Sequence, residues 1–266
     1  MIRHARNLFF GLVVALMSAP LFIVAGVSFN EKKFMIFPPR GFSLRWYFEL
    51  FEKTKWSEPL WTSLTVALSA GIIALSIALP IAYFLWRYRV FYAKALYAIG
   101  LLPFALPPVI TALGMLIFWS ELGHIGRWEN IVLGHSVFLV TLPMVMISLG
   151  LESIDVEVVE AARTMGADDR RIFTTVVLPL IRPYMIAGFS FVFVLSMNEF
   201  IISYFLGQFA IATLPVKIFS QLRSGYSPVI ASSAVLFMLL AVAVFGLIAR
   251  FGDLPKLLGA WTPEDR

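Results

Sequence analysis

The feature that most limits the fold of this chain is a series of long apolar stretches without a charged residue. Five such stretches lie at residues 8–29, 59–86, 95–120, 130–151 and 224–249. A sixth stretch, residues 183–216, is interrupted only by Glu199. A helix needs about 20 apolar residues to cross the hydrocarbon core of a bilayer. The sequence therefore predicts an all-α integral membrane protein with six transmembrane helices.

The composition agrees with this class. Hydrophobic residues make up 60% of the 266 residues and charged residues 14%, whereas a soluble domain carries about 25% charged residues. We expect a single transmembrane domain over residues 1–266. Its spans are predicted at about residues 8–29, 60–86, 96–119, 131–151, 184–206 and 228–250. The chain has no cysteine, which excludes disulfides and thiolate chemistry.

Basic residues in short loops predict the orientation. The connection after the second span, RYRVFYAK, carries Arg87, Arg89 and Lys94 without an acidic residue. Because short cytoplasmic loops are enriched in Lys and Arg, we place this loop and both termini in the cytoplasm. The net charge of +5 suits an anionic membrane surface, and no basic cluster indicates a nucleic-acid partner.

The first outer loop contains GFSLRWYFELFE, which predicts a short interfacial helix. Ser43 is a candidate cap, and Trp46, Tyr47, Leu50 and Phe51 recur at helical spacing. Two roles remain open for this helix: packing against the bundle and contact with a partner protein.

A charged segment, residues 155–179, separates the fourth and fifth predicted spans. Asp155 is a candidate N-cap of its first helix, and Glu160 can pair with Arg163 one turn later. The apolar residues of this helix are predicted to form a ridge: Val159, Ala162 and Met165.

The same segment has a turn signal followed by a second helix. Gly166 can adopt the left-handed conformation that ends a helix, and Asp168 or Asp169 can cap the next one. We expect that helix to run until Pro179 disrupts it. The helix–turn–helix could dock into a groove of another protein or lie against its own bundle.

The string EAARTMGADDRRIFTTVVLP at residues 160–179 resembles the EAA motif of permease subunits in binding-protein-dependent ABC importers, the MetI-like family. In that family the motif forms a cytoplasmic coupling helix that inserts into a cleft of the ATPase subunit. The resemblance implies ATPase coupling by five residues: Glu160, Ala161, Ala162, Met165 and Gly166.

Four further phrases resemble one branch of that family: RGFSLRWYFELF, FALPPVITALG, SMNEF and TLPVKIFSQLRSGYSP. The likeness is greatest to the C-type permease of spermidine/putrescine importers. It implies a small cationic solute such as a polyamine. Related permeases for opines, amino acids or ferric iron share similar phrases, so these solutes remain alternatives.

Glu199 is the one acidic residue inside a predicted span, and an intramembrane carboxylate usually faces a cavity or a partner. We expect it to lie in the outer half of the bilayer, where it could attract a cationic solute. Ser196, Asn198 and Tyr204 are further candidates for the substrate path. Relatives of the polyamine type often carry acids at positions 198 and 199. The alternative is a structural carboxylate bonded to a neighbouring helix or to a partner permease.

The remaining polar and irregular positions indicate no catalytic site. Pro103, Pro107 and Pro108 free backbone carbonyls in the third span, and they predict either a cavity-lining helix or a simple kink. His124 and His135 lack the acidic neighbours of a metal site, and we expect His135 to be a polar group in helix packing.

No G-x-x-x-x-G-K-[ST] pattern occurs, so we expect no ATP or magnesium site in this chain. The resemblance implies a separate ATPase (a dimer) that carries both, a second and non-identical permease, and an extracytoplasmic solute-binding protein docking on residues 30–58 and 207–228. It also implies the cytoplasmic (inner) membrane of a bacterium. A stand-alone secondary transporter is the competing class, but it would favour several intramembrane charges or an internal repeat.

Overall fold

The computed structural model describes residues 2–52, 54–88, 90–208, 210–224 and 227–251. Over these residues the secondary structure is helical, and the one β pairing is an isolated bridge between Asn30 and Phe42. The all-α prediction is therefore confirmed. Arg89 and the C-terminal end, both used for the predicted orientation, lie outside the described residues.

Thirteen α-helices occur in the described part of the chain. They are α1 (Ile2–Ser28), α2 (Arg45–Glu52), α3 (Thr54–Tyr88), α4 (Phe91–Ala105), α5 (Pro108–Glu121), α6 (Trp128–Leu139), α7 (Thr141–Glu152), α8 (Val156–Thr164), α9 (Asp169–Ile172), α10 (Leu178–Asn198), α11 (Ile201–Gly207), α12 (Leu214–Ser224) and α13 (Pro228–Phe251). The chain divides into two compact units, residues 1–60 with 217–241 and residues 61–216 with 242–266.

In the first unit, the predicted interfacial helix is present as α2. The Ser43 hydroxyl accepts a hydrogen bond from the N–H of Arg45 at 3.2 Å, as expected of a residue that caps the helix start. Trp46 and Leu50 are buried, whereas Phe51 is exposed. The apolar side of α2 is thus narrower than predicted, because Phe51 follows Leu50 by about 100° around the helix.

In the second unit, close helix packing depends on residues without a bulky side chain. A Cβ atom added at Gly188 of α10 would lie 2.8 Å from the Cα of Pro143 in α7. Gly134 of α6 makes a similar approach to Ile202 of α11, at 2.7 Å. Small residues let membrane helices come near enough for extensive van der Waals contact. This packing places α6, α7, α10 and α11 around one core.

Four helical runs are long and apolar enough to cross a membrane: 6–28, 55–88, 169–198 and 228–246. Two further spans result if each of two bent pairs counts as one span, α4 with α5 and α6 with α7. The six predicted spans correspond to these four runs and two pairs. The predicted third and fourth spans are therefore not single straight helices.

The bend between α4 and α5 is 109°, which corrects the prediction of one helix over residues 96–119. A residue before proline is disfavoured in helical conformation, and two such residues follow each other here. Leu106 precedes Pro107 and is extended, with φ −90° and ψ 151°. Pro107 precedes Pro108 and has ψ 133°. Since neither continues the helix, the chain turns sharply and α5 starts with Pro108 as its first residue.

The helix that follows the turn at Gly166 does not end at Pro179, so that prediction is wrong. Asp168 caps α9 by accepting a hydrogen bond from the N–H of Arg171 at 2.8 Å. Residues 173–177 then form a π-helical turn, and the helix continues to Asn198. A π turn shifts the backbone hydrogen bonds by one residue. The helix can therefore continue past Pro179, which has no N–H to donate. The predicted fifth span, residues 184–206, therefore begins earlier and ends at Asn198.

Candidate functional site

The first candidate site is α8, whose two ends are as predicted. The Asp155 carboxylate accepts a hydrogen bond from the N–H of Glu157 at 3.0 Å. Gly166 has φ +84°, its N–H donates to the carbonyl of Arg163 at 2.8 Å, and the N–H of Ala167 donates to the carbonyl of Ala162 at 3.1 Å. These two bonds form a Schellman motif, which requires a left-handed residue at the glycine position.

The face that α8 presents differs from the prediction. Val159 and Ala162 are buried and belong to the core of the second unit. Met165 is 82% exposed, and Glu160 and Ala161 are also exposed. Two residues of the predicted ridge, Val159 and Ala162, therefore share one face and pack against the bundle, which was one of the two alternatives, whereas Met165 lies off that face. Ala162 is small because it packs against its own bundle, and a partner can reach only the opposite side of the helix.

The predicted pairing of Glu160 with Arg163 is also wrong. The Arg163 guanidinium lies 2.7 Å from the carboxylate of Asp169, the first residue of α9. The same carboxylate oxygen accepts a hydrogen bond from Arg87 of α3 at 3.2 Å. Asp169 competes successfully for Arg163 because the tight turn at Gly166 brings the start of α9 beside the end of α8.

The second candidate site is the break between α10 and α11, where Glu199 lies. Glu199 has an extended backbone, with φ −73° and ψ 119°, so it is not part of a continuous span as predicted. One carboxylate oxygen accepts the N–H of Ile201 at 3.0 Å. The other accepts the N–H groups of Ile202 and Ser203 at 2.9 and 3.2 Å. The carboxylate thereby satisfies the free N–H groups at the start of α11.

His135 of α6 completes the cluster around this carboxylate. Its Nε2 lies 3.3 Å from Glu199 Oε2 and 3.0 Å from the Ser203 hydroxyl, while its Nδ1 lies 2.7 Å from the Ser196 hydroxyl. The imidazole is fully buried and the Glu199 side chain is 9% exposed. The Ser203 hydroxyl donates to the backbone carbonyl of Glu199 at 3.3 Å, which ties the same serine to both members of the cluster. The prediction that His135 is a polar packing group is confirmed, and its partner is the intramembrane carboxylate.

The structure brings two of the four predicted substrate-path residues together. Ser196 is buried and joins Glu199 in the cluster through His135. Asn198 is exposed and donates from its side chain to the carbonyl of Val194 at 2.8 Å. The Tyr204 ring lies against that of Phe200, with centroids 5.4 Å apart. Over the described residues no group of His, Cys, Asp and Glu has the arrangement of a metal site.

The long-range contacts of these sites were not predicted: His135 with Glu199, Ser196 and Ser203, and Asp169 with Arg87. Periodicity within one helix cannot show them, since the partners come from segments far apart in sequence. The rarity of polar residues in the predicted spans could have indicated the pairing of His135 with Glu199, because a buried polar side chain needs a hydrogen-bonding partner. His135 and Glu199 are among the few polar residues of the predicted spans, and this limits the choice of partners.

The sequence comparison decides the family. Residues 74–253 match the binding-protein-dependent transport system inner membrane component, and they span both candidate sites. The chain belongs to this family. It is a multi-pass membrane protein and a transport subunit of an ABC importer rather than an enzyme, and ATP is hydrolysed by a separate subunit.

Two curated relatives of this permease transport polyamines. It is 32% identical over 240 residues to the putrescine transport system permease protein PotI of Escherichia coli K12, covering 88% of this chain and 85% of that protein. It is 30% identical over 254 residues to the spermidine/putrescine transport system permease protein PotC of the same organism, covering 93% and 95%.

Solved structures support the fold of this permease. A bacterial ABC transporter that imports the acidic polysaccharide alginate has a chain that superposes with a TM-score of 0.64 at 16% identity, covering 94% of this chain and 96% of that chain. The methionine ABC transporter MetNI gives a TM-score of 0.61 at 20% identity, covering 79% and 97%. Permeases of this family act with an ATPase and a solute-binding protein.

Proposed function

We propose that this permease forms one half of the translocation path for a small cationic solute of the polyamine type, and that α8 couples the path to the ATPase. A second, non-identical permease supplies the other half, and an ATPase dimer binds ATP and magnesium. The observation that carries the coupling role is the geometry of α8, a capped helix with an exposed side and a fixed turn at Gly166.

The exposed side of α8 supports docking through Glu160, Ala161 and Met165. The side chain of Ala161 is small enough to allow close approach of a partner surface, and Met165 adapts its shape to an apolar groove. Ala162 contributes indirectly, since its burial keeps α8 against the bundle. When the ATPase dimer closes on ATP, it displaces α8, and the paired permeases change from inward-facing to outward-facing.

Two observations support a cationic solute. The chain is about 30% identical to permeases named for putrescine and spermidine over most of its length. Glu199 also places a carboxylate, 9% exposed, at a helix break inside an apolar stretch. A carboxylate in a low-dielectric setting attracts an ammonium group more strongly than in water. Ser196, Asn198, Ser203 and Tyr204 are the polar side chains nearest to it in sequence. We assign Ser196, Asn198 and Tyr204 to the same path.

The proposed orientation has both termini in the cytoplasm, which puts α8 on the ATPase side of the membrane. The loops at residues 30–58 and 207–228 then face the solute-binding protein. A tag accessible only from the cytoplasm at either end would agree with this orientation, whereas external labelling of an intact cell would contradict it.

Co-purification and uptake test the coupling role. The tagged permease, extracted from its native membrane, is expected to bring down an ATPase and a second permease. In the reconstituted complex, Glu160→Lys is expected to abolish solute uptake while ATP hydrolysis persists. Glu152→Lys makes the same charge change on an exposed residue of α7 and serves as the control. Normal uptake with Glu160→Lys would contradict docking through α8.

A panel of solutes tests the substrate class. Radiolabelled putrescine and spermidine are compared with arginine, an opine and ferric iron in cells with and without the permease gene. We expect uptake of a polyamine to be lost in the deletion strain and restored by the gene. Loss of uptake of another solute alone would assign the permease to that solute, and uptake by the purified chain alone would indicate a secondary transporter.

A further inference from the structure

One carboxylate joins three cytoplasmic segments of the second unit. The same Oδ1 atom of Asp169 lies 2.7 Å from Nη2 of Arg163 and 3.2 Å from Nη2 of Arg87. Arg163 belongs to the last turn of α8, Asp169 begins α9, and Arg87 belongs to the last turn of α3. The coupling helix is thus tied through a single residue to a span that is far from it in sequence.

The two arginines that Asp169 joins lie beside an open space between α8 and the end of α3. A cavity of about 260 Å³ separates α8 from the end of α3, and its lining residues include Trp86, Val159 and Glu160. Beside this cavity, Val159 and Ala162 of α8 lie in the same buried core as Ala82 of α3, so packing and charge act side by side here. Arg87 and Arg163, which also line the cavity, meet at Asp169.

The start of the α9 helical run is already attached to α3 by an aromatic contact. The rings of Tyr83 and Phe173 meet edge to face, with centroids 4.7 Å apart. Phe173 begins the π turn that follows α9. The helical run after the turn is therefore held to α3 by packing, and α8 is joined to α3 by the ion pairs at Asp169 in addition to the core that they share. Removing the carboxylate would leave two guanidinium groups facing each other beside the cavity.

We propose that Asp169 is a positioning residue that makes α8 and the cytoplasmic end of α3 move as one body. The displacement of α8 by the ATPase then reaches α3 directly, in addition to the spans that α8 adjoins in the chain. This inference rests on the proposed coupling role of α8. It extends the coupling machinery to Asp169, Arg87 and Arg163.

The ratio of ATP hydrolysed to solute taken up reports how tightly hydrolysis is coupled to transport, and it therefore tests the bridge at Asp169. In the reconstituted complex with putrescine as the probe, Asp169→Asn is expected to raise this ratio about two- to five-fold, the range of a partly exposed ion pair. Asp169→Glu keeps the charge and is expected to restore the ratio. Asp168→Asn is the matched control, because it removes a charge one residue away and keeps a good N-cap for α9.

Spin labels give a second measurement that does not depend on the solute. Since the chain has no cysteine, labels can be placed at Phe84 of α3 and Glu157 of α8, which are both exposed. We expect their distance to be the same with and without ATP plus vanadate in the otherwise unchanged complex. With Asp169→Asn we expect the distance to shift or its distribution to broaden on adding nucleotide.

The outcomes separate this inference from the proposed function. If Glu160→Lys uncouples the complex but Asp169→Asn changes neither the ratio nor the label distance, the tie through Asp169 is wrong and the coupling role of α8 stands. If Glu160→Lys has no effect, the coupling role itself fails. An equal effect of Asp168→Asn and Asp169→Asn would show that net charge, not the bridge, is what matters, and would overturn the proposal.

Discussion

Replacing Glu199 by glutamine tests what its carboxylate does at the break between α10 and α11. Glutamine has nearly the same shape, but one of its two terminal atoms is a donor. In the most favourable placement, the amide nitrogen of the glutamine faces the N–H of Ile201. The remaining oxygen still accepts the N–H groups of Ile202 and Ser203, and it keeps the contact with His135. One charge-assisted hydrogen bond is lost, and two donors then oppose each other.

The expected loss of stability follows from these contacts. A hydrogen bond to a charged group contributes about 1.5–3 kcal/mol, and the negative charge at a helix start contributes about 0.3–1 kcal/mol more. Because the Glu199 side chain is 9% exposed, water compensates little of this. We expect Glu199→Gln to lower the free energy of unfolding by about 2–4 kcal/mol. For a chain of this length, that corresponds to a fall of roughly 4–16 °C in the melting temperature.

Thermal unfolding of the purified complex, followed by tryptophan fluorescence, checks this value, and uptake is measured on the same preparation. Glu199→Asp keeps the charge with a shorter reach and is expected to lose less stability. A melting temperature unchanged by Glu199→Gln would refute the capping role. Unchanged stability with strongly reduced uptake would instead assign the carboxylate to the solute path alone.

Three further predictions concern small residues. Gly166→Val is expected to cost about 1–3 kcal/mol of local stability, because a β-branched residue is strained at φ +84°. Limited proteolysis of the turn between α8 and α9 measures this loss, and Gly166→Asn is the milder control. Ala162→Leu is expected to lower the melting temperature, because overpacking of the buried face of α8 costs about 1–3 kcal/mol. Ala161→Leu, on the exposed face, should leave the melting temperature unchanged and reduce ATPase binding in a pull-down. Equal effects of the two variants on stability would contradict the assignment of a buried and an exposed face to α8. Gly188→Ala is expected to lower the melting temperature because its Cβ would lie 2.8 Å from the backbone of Pro143, and a neutral result would show that α7 and α10 can separate.

Much of the fold follows from local sequence patterns. Apolar stretches of spanning length predict the membrane class and the number of spans, because each backbone N–H and C=O must be satisfied within its own helix in a bilayer. The turn at Gly166 is equally local. Asp155, Gly166 and Asp168 act on N–H and C=O groups within a few residues of themselves, so the start and end of α8 and the start of α9 were predictable.

The predictions that failed involve competition between neighbouring groups. Arg163 had two acids within reach, and only the folded turn shows that Asp169 rather than Glu160 is its partner. The apolar residues of α8 could serve a partner or the bundle, and burial of Val159 decides for the bundle. Pro179 was expected to end a helix, but the π turn before it changes the hydrogen-bonding register and lets the helix continue.

The sequence by itself determined that this chain spans a membrane and carries a capped charged segment between two spans, since those features depend on composition and on contacts between near neighbours, and its motif indicated the permease family. Only the tertiary structure decided what Glu199 and Asp169 do. Each carboxylate bonds a residue from a distant segment, His135 in one case and Arg87 in the other. Such pairings arise when helices pack together, because packing buries polar groups and forces each of them to find a partner.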